Sequence, residues 1–180
     1  MCIVIQASAT LNPGDTDQAV TFNVKPGLTY YIDVEQEKDK GVLPRAIGSF
    51  ASSGAANGAS APAAKATIRF QGLRFRGAST LPRSGVVRFE NRDGVAHFAL
   101  AFPVRKGTTS AKLGKALASS NESAFGKLIA GTPYMAQNII SGGDTTDYQE
   151  VSFAKKGKYA LVCFIEGHER LGMYRIVTVK

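Results

Sequence analysis

The sequence is poor in the side chains from which elaborate metal and redox sites are built. Among 180 residues there are two cysteines, two histidines and three methionines. Two cysteines, Cys2 and Cys163, could form one pair at most, so no disulfide framework is available. No apolar run approaches the roughly 18 residues needed to cross a bilayer as a helix. Although the net charge is +8, no tight Lys/Arg run is interleaved with aromatics and no nucleic-acid-reading motif is present. Nucleic acid is therefore the weakest partner class. The basic charge reads as solvation plus steering toward an acidic protein partner.

What is present is a globular composition, 44% hydrophobic and 20% charged, with 19 glycines and 7 prolines that suit a turn-rich β protein. The few soft ligands are concentrated near the end of the chain. An alternating apolar strand, Tyr159-Ala-Leu-Val-Cys163, runs into a polar loop carrying His168 and Met173, and a second apolar strand follows. Tyr159, Leu161 and Cys163 share one face, which aims the sulfur inward at the end of a buried row. Thiolate, imidazole and thioether on one loop suit copper rather than magnesium or calcium. A trigonal His₂Cys site with a weak axial Met needs a second imidazole, and the only other histidine is His97. His97 opens a strand after a polar Asn91-Arg-Asp-Gly94 turn, so both histidines lie at strand–loop junctions.

These segments resemble the cupredoxin family of blue (type 1) copper proteins. The resemblance is carried by Asn-x-Asp-x-x-x-His over residues 91–97, by Gly-x-Tyr-x-x-x-Cys over residues 157–163, and by Cys-x4-His-x4-Met from Cys163 to Met173. It implies His97, Cys163 and His168 as equatorial copper ligands and Met173 as the axial one. It also implies a Greek-key β-sandwich, one-electron transfer to a redox protein partner, and a periplasmic or secreted location. Cys2 follows Met1 directly with no apolar segment before it, so export is expected from the resemblance alone. The position after the first histidine departs from the family. Many members have a polar residue there that ties the ligand loops together, whereas this chain has Phe98, so that contact must come from elsewhere.

Three other readings are weighed against electron transfer. A Cys163–His168 hydrolase needs an orienting third group and an oxyanion site, and neither is marked. A copper-delivery module without redox turnover uses the same ligands. A metal-free domain would leave Cys163 and Met173 as core filler. An enzyme with a second copper centre is not expected, because both histidines are already used.

Along the chain, residues 2–7, 18–24 and 28–35 read as strands of an N-terminal β extension over residues 1–47. Alternation is clearest in Val20-Thr-Phe-Asn-Val24. Residues 48–66, rich in Ser, Gly and Ala, read as a linker. Residues 67–180 form the copper domain: an all-β sandwich with a helical insertion. In that insertion, residues 109–131, Leu113, Ala116 and Leu117 fall at i, i+3, i+4, and Phe125, Leu128 and Ile129 repeat the spacing. Two short helices, capped near residues 108–110 and ended at Gly131, are expected. They are expected to cover Phe98, Leu100 and Phe102, the large apolar residues on the strand face opposite His97. A small apolar surface from Ile165, Gly167, Leu171 and Gly172 is expected beside His168.

Overall fold

The structure, a computed structural model, describes residues 21–22, 27, 29–35, 45–53, 60–133, 135–165 and 167–180. Its strands are β1 (Thr21–Phe22), β2 (Thr29–Glu35), β3 (Arg45–Ala51), β4 (Ala66–Phe70), β5 (Phe75–Gly77), β6 (Thr80–Leu81), β7 (Ser84–Asn91), β8 (His97–Pro103), β9 (Met135–Ile140), β10 (Thr145–Ser152), β11 (Gly157–Val162) and β12 (Tyr174–Val179). Two helices, α1 (Ser110–Ala118) and α2 (Glu122–Gly126), lie between β8 and β9. No helix among the described residues is long and apolar enough to cross a membrane.

Two five-stranded sheets carry the site, in the orders β1-β10-β7-β4-β5 and β6-β12-β11-β8-β9. The chain changes sheet after β5, β6, β7, β9 and β10, the crossing connectivity of a Greek-key sandwich. Alternation explains which side chains meet between the sheets. Val87 and Phe89 of β7 and Ile68 and Phe70 of β4 join Tyr159 and Leu161 of β11 and Val177 and Val179 of β12 in one buried cluster. The all-β sandwich expected from the sequence is what forms.

Strand β11 is buried on both faces. Ala160 and Val162 point away from the sandwich into a second cluster with Leu113 and Leu117 of α1, packed by Phe102, Phe125 and Tyr174. A strand covered on both sides can be apolar throughout, which is why 160–162 is Ala-Leu-Val. Thr109 caps α1, its side chain accepting from the Lys112 N–H, and Asn121 caps α2 through the Ala124 N–H.

Several expectations need correction. The second helix ends at Gly126 rather than Gly131. Backbone groups of residues 128–130 instead bond to the end of β8 and the residues after it: Leu128 O accepts from Arg105, and the Ala130 N–H donates to Pro103 O. The helices cover Phe102 as expected, but Phe98 packs against the sandwich cluster instead. A register shift between His97 and Ala99 in the β8–β9 ladder marks the irregularity at that point. Strand β9, over residues 135–140, carried no signal strong enough to be read from the sequence.

Residues 23–61 form a unit separate from residues 62–180. In it β2 and β3 pair antiparallel from Thr29↔Ala51 to Glu35↔Arg45. Strand β3 takes in residues 48–51, the start of the stretch expected to be a linker. Strand β1 pairs with β10 and so belongs to the sandwich. The strand expected over residues 2–7 lies outside the described residues.

Candidate metal centre

Register places the donors. In the β11–β12 hairpin Val162 pairs with Tyr174, so Cys163 and Met173 face each other one step beyond the ladder. The Cys163 N–H donates to Met173 O at 3.1 Å, and both side chains are fully buried in the sandwich cluster. Between them the loop winds back on itself. The His168 N–H donates to Ile165 O at 2.9 Å, and the Met173 N–H donates to His168 O at 2.9 Å. Gly167 (φ 83°) and Gly172 (φ 100°) take left-handed conformations that let so short a loop reverse. On the neighbouring strand Leu100 pairs with Val162, which brings His97, at the start of β8, to the same end of the sandwich.

The result is a three-donor cluster. Ligand atoms of His97, Cys163 and His168 all lie within 4.8 Å of one another. The Cys163 sulfur is 3.6 Å from His168 Nδ1, and the two imidazole rings are 4.9 Å apart between centroids. His97 is fully buried against the edge of Phe70, whereas His168 is half-buried.

Each buried polar group has a traceable environment. His97 Nε2 lies 3.0 Å from Asp93 Oδ2, while its Nδ1 is buried without a hydrogen-bond partner. A buried imidazole nitrogen with no protein partner is costly unless something binds it. That bare nitrogen, beside a thiol and a second imidazole, is a donor set fit for a soft or borderline metal ion. Burial pulls the His97 imidazole below its ordinary pKa, and neighbouring His168 adds to this, while Asp93 opposes it through its hydrogen bond and charge. The neutral, ligating form is therefore favoured. Burial pushes the Cys163 thiol up, the backbone N–H groups of Phe98 and Ile165 pull the other way, and Glu169 adds to the rise. Without a cation the thiol stays protonated, whereas a bound metal would remove the proton.

Phe98, which follows His97, has no side-chain hydrogen-bonding group. Its backbone N–H lies where it favours the thiolate form of Cys163, a task its side chain cannot perform. The side-chain tie comes from Asn91. Its Nδ2 shares two N–H groups among Val95 O, Ile140 O and Ser141 O at 2.8, 3.2 and 3.0 Å, closing the turn before His97 onto the neighbouring loop. Asn91 and Asp93 were legible as a motif, but their partners were not. Arg74, whose guanidinium donates to Leu171 O in the Cys–Met loop, had no sequence signal at all.

No protein-family model matches the chain, and no curated protein matches it. Among solved structures, auracyanin B is similar at 21% identity and a TM-score of 0.43, over 68% of this chain and 92% of that one. Auracyanin A, a "blue" copper protein from Chloroflexus aurantiacus, is 21% identical with a TM-score of 0.42, over 63% of this chain and 96% of that one. Rusticyanin from Thiobacillus ferrooxidans is 16% identical with a TM-score of 0.40, over 64% of this chain and 75% of that one. The side chains of this chain define a His-Cys-His group able to hold a metal ion.

Proposed function

We propose that this chain is a cupredoxin that carries one electron at a mononuclear type 1 copper centre. His97, Cys163 and His168 would hold the copper, with Met173 as a fourth, weaker donor. The observation that carries the reading is the cluster of three donors at one end of the sandwich, with His97 Nδ1 buried and unpartnered. Copper bound there supplies a Cu(II)/Cu(I) couple. The chain contributes rigidity and dryness. Cys163, His97 and Met173 are anchored on or beside sheet strands and fully buried, so the donors change position little and water is kept from three of them. A frame that neither redox state can remodel lowers the rearrangement needed per electron.

The copper domain is built on residues 67–180, with β1 (Thr21–Phe22) added to the edge of one of its sheets beside β10. Electron exchange is assigned to the site end of the sandwich, where Val95, Phe164 and Leu171 are 49%, 38% and 58% exposed. They are three of the four exposed large hydrophobics among the described residues, and all lie on loops beside the donors. The partner is a redox protein, an acidic one favoured by the +8 charge, and the location is periplasmic or secreted. The protein acts as a carrier rather than an enzyme.

Titrating apoprotein with Cu(II) tests the reading. One equivalent should produce an intense thiolate-to-copper band in the visible, and Cys163→Ser should stay folded without it. A colourless stoichiometric copper complex rejects the type 1 assignment. Reversible voltammetry with slow copper exchange supports electron carriage, whereas rapid transfer of the metal to a chelator would mark a delivery module.

A further inference from the structure

We propose that Asp93 is a positioning residue that, held by the 72–74 turn, keeps His97 protonated on Nε2 and bare on Nδ1, ready for metal. The inference takes the ligand role of His97 from the copper reading above.

The argument begins with donor counting. A carboxylate only accepts hydrogen bonds. Asp93 has three donors around it: the Gly72 N–H at 2.7 Å on Oδ1, and the Leu73 N–H at 3.1 Å and His97 Nε2 at 3.0 Å on Oδ2. The proton shared with the imidazole therefore sits on Nε2. In a neutral ring the other nitrogen then carries the lone pair, and that nitrogen is the buried Nδ1 without a protein partner. A carboxylate behind a ligating histidine fixes ring orientation as well as tautomer.

Asp93 is itself fixed. Its backbone N–H donates to Asn91 Oδ1 at 3.0 Å, and the two amides that bind its carboxylate come from consecutive left-handed residues, Gly72 (φ 63°) and Leu73 (φ 53°). A left-handed conformation is unfavourable for leucine, whose Cβ crowds the following carbonyl oxygen. Its conformation is retained where it aims two successive N–H groups at one anion. The next residue, Arg74, donates to Leu73 O at 2.8 Å and also to Leu171 O in the Cys–Met loop. One short turn thus holds the carboxylate behind His97 and grips the loop that carries His168 and Met173. Position 98, being phenylalanine, offers no side-chain hydrogen bond for this task.

Asparagine in place of Asp93 has one acceptor oxygen and an NH₂ group where the carboxylate had two acceptors. Whichever way the amide turns, its NH₂ faces a donor. Turned toward His97, it favours the wrong tautomer, with the proton on Nδ1. Turned toward Gly72, it breaks the turn.

The tautomer can be read without metal, by long-range ¹H–¹⁵N correlation of the imidazole nitrogens in ¹⁵N-labelled apoprotein. Wild type should show His97 protonated on Nε2 with an unprotonated Nδ1. Asp93→Asn should lose that preference and bind copper roughly 10–100-fold more weakly, with the apoprotein still folded by near-UV circular dichroism. A wild-type His97 protonated on Nδ1 overturns the proposal, whatever the variant does. So does an Asp93→Asn protein that matches wild type in both tautomer and copper affinity. If the tautomer is as stated but copper gives no visible band, the type 1 reading fails and the positioning role of Asp93 stands.

Discussion

Gly142 offers a sharp test of how the loops around the site are packed. Its φ is not in the left-handed region, so an alanine there is acceptable to the backbone and only space decides. A Cβ at this position would lie 2.5 Å from both Gly94 O and Val95 N, and closer still to the Gly94 carbonyl carbon. Real Cβ contacts essentially never fall below 3.0 Å, so the 94–95 peptide must move by more than 0.5 Å. The atoms in the way are backbone and cannot rotate aside. Asn91 also stitches these two loops together through Val95 O and Ser141 O, so the movement cannot be absorbed at one place. Overpacking of this kind costs about 1–3 kcal/mol. For a domain of this size that is a fall in Tm of roughly 4–12 °C. Because Val95 lies two residues before His97, Gly142→Ala should also shift the visible band of the copper form. Gly126, at the end of α2, is the control: a Cβ there meets nothing within 4 Å and its φ is ordinary. Gly126→Ala should be neutral or stabilising by up to about 1 kcal/mol. Thermal unfolding of both apoproteins, followed by copper spectra, decides. A Gly142→Ala protein within about 0.5 kcal/mol of wild type, with an unchanged spectrum, would refute the packing argument.

Leu113→Ala removes a fully buried side chain from the cluster beneath α1 and should cost about 2–5 kcal/mol in denaturant unfolding. Its visible band should not move, since that cluster lies on the face of β11 opposite Cys163, and a moved band would place the helices at the metal centre. Glu90 is buried among Arg69, Arg88 and Arg92, at 2.8, 2.7 and 3.4 Å. Burial alone would raise its pKa, but the Arg69 hydrogen bond and the three guanidinium charges outweigh it and hold it below its ordinary value of 4.5. The stability this contributes is present above about pH 4.5 and lost as pH falls through the lowered pKa. Glu90→Gln should flatten that part of the acid-denaturation profile, and an unchanged profile would count against the cluster. Met173→Leu should keep copper and colour but raise the reduction potential by removing a weak axial donor; loss of copper from a folded variant would make Met173 a primary ligand.

Much of the site was legible because its chemistry is local in sequence. Cys163, His168 and Met173 lie within eleven residues, and strand alternation alone puts the sulfur on the inward face. With only two histidines in the chain, His97 was the sole available partner imidazole. The sandwich followed from period-two strands separated by glycine turns, and the helices from 3.6-residue spacing with a threonine cap. Tertiary structure alone decided what surrounds those donors. That Asp93 meets the amides of Gly72 and Leu73, some twenty residues away, depends on β4 pairing parallel with β7, and no local pattern encodes that register. The early stop of α2 has the same cause, since residues 128–130 found backbone partners at the end of β8 and just beyond it. Phe98 left the face assigned by alternation at a β-ladder irregularity, which depends on a partner strand the sequence did not reveal. Periodicity reports how one segment meets water and core, whereas hydrogen bonds between distant segments exist only once the chain has brought them together.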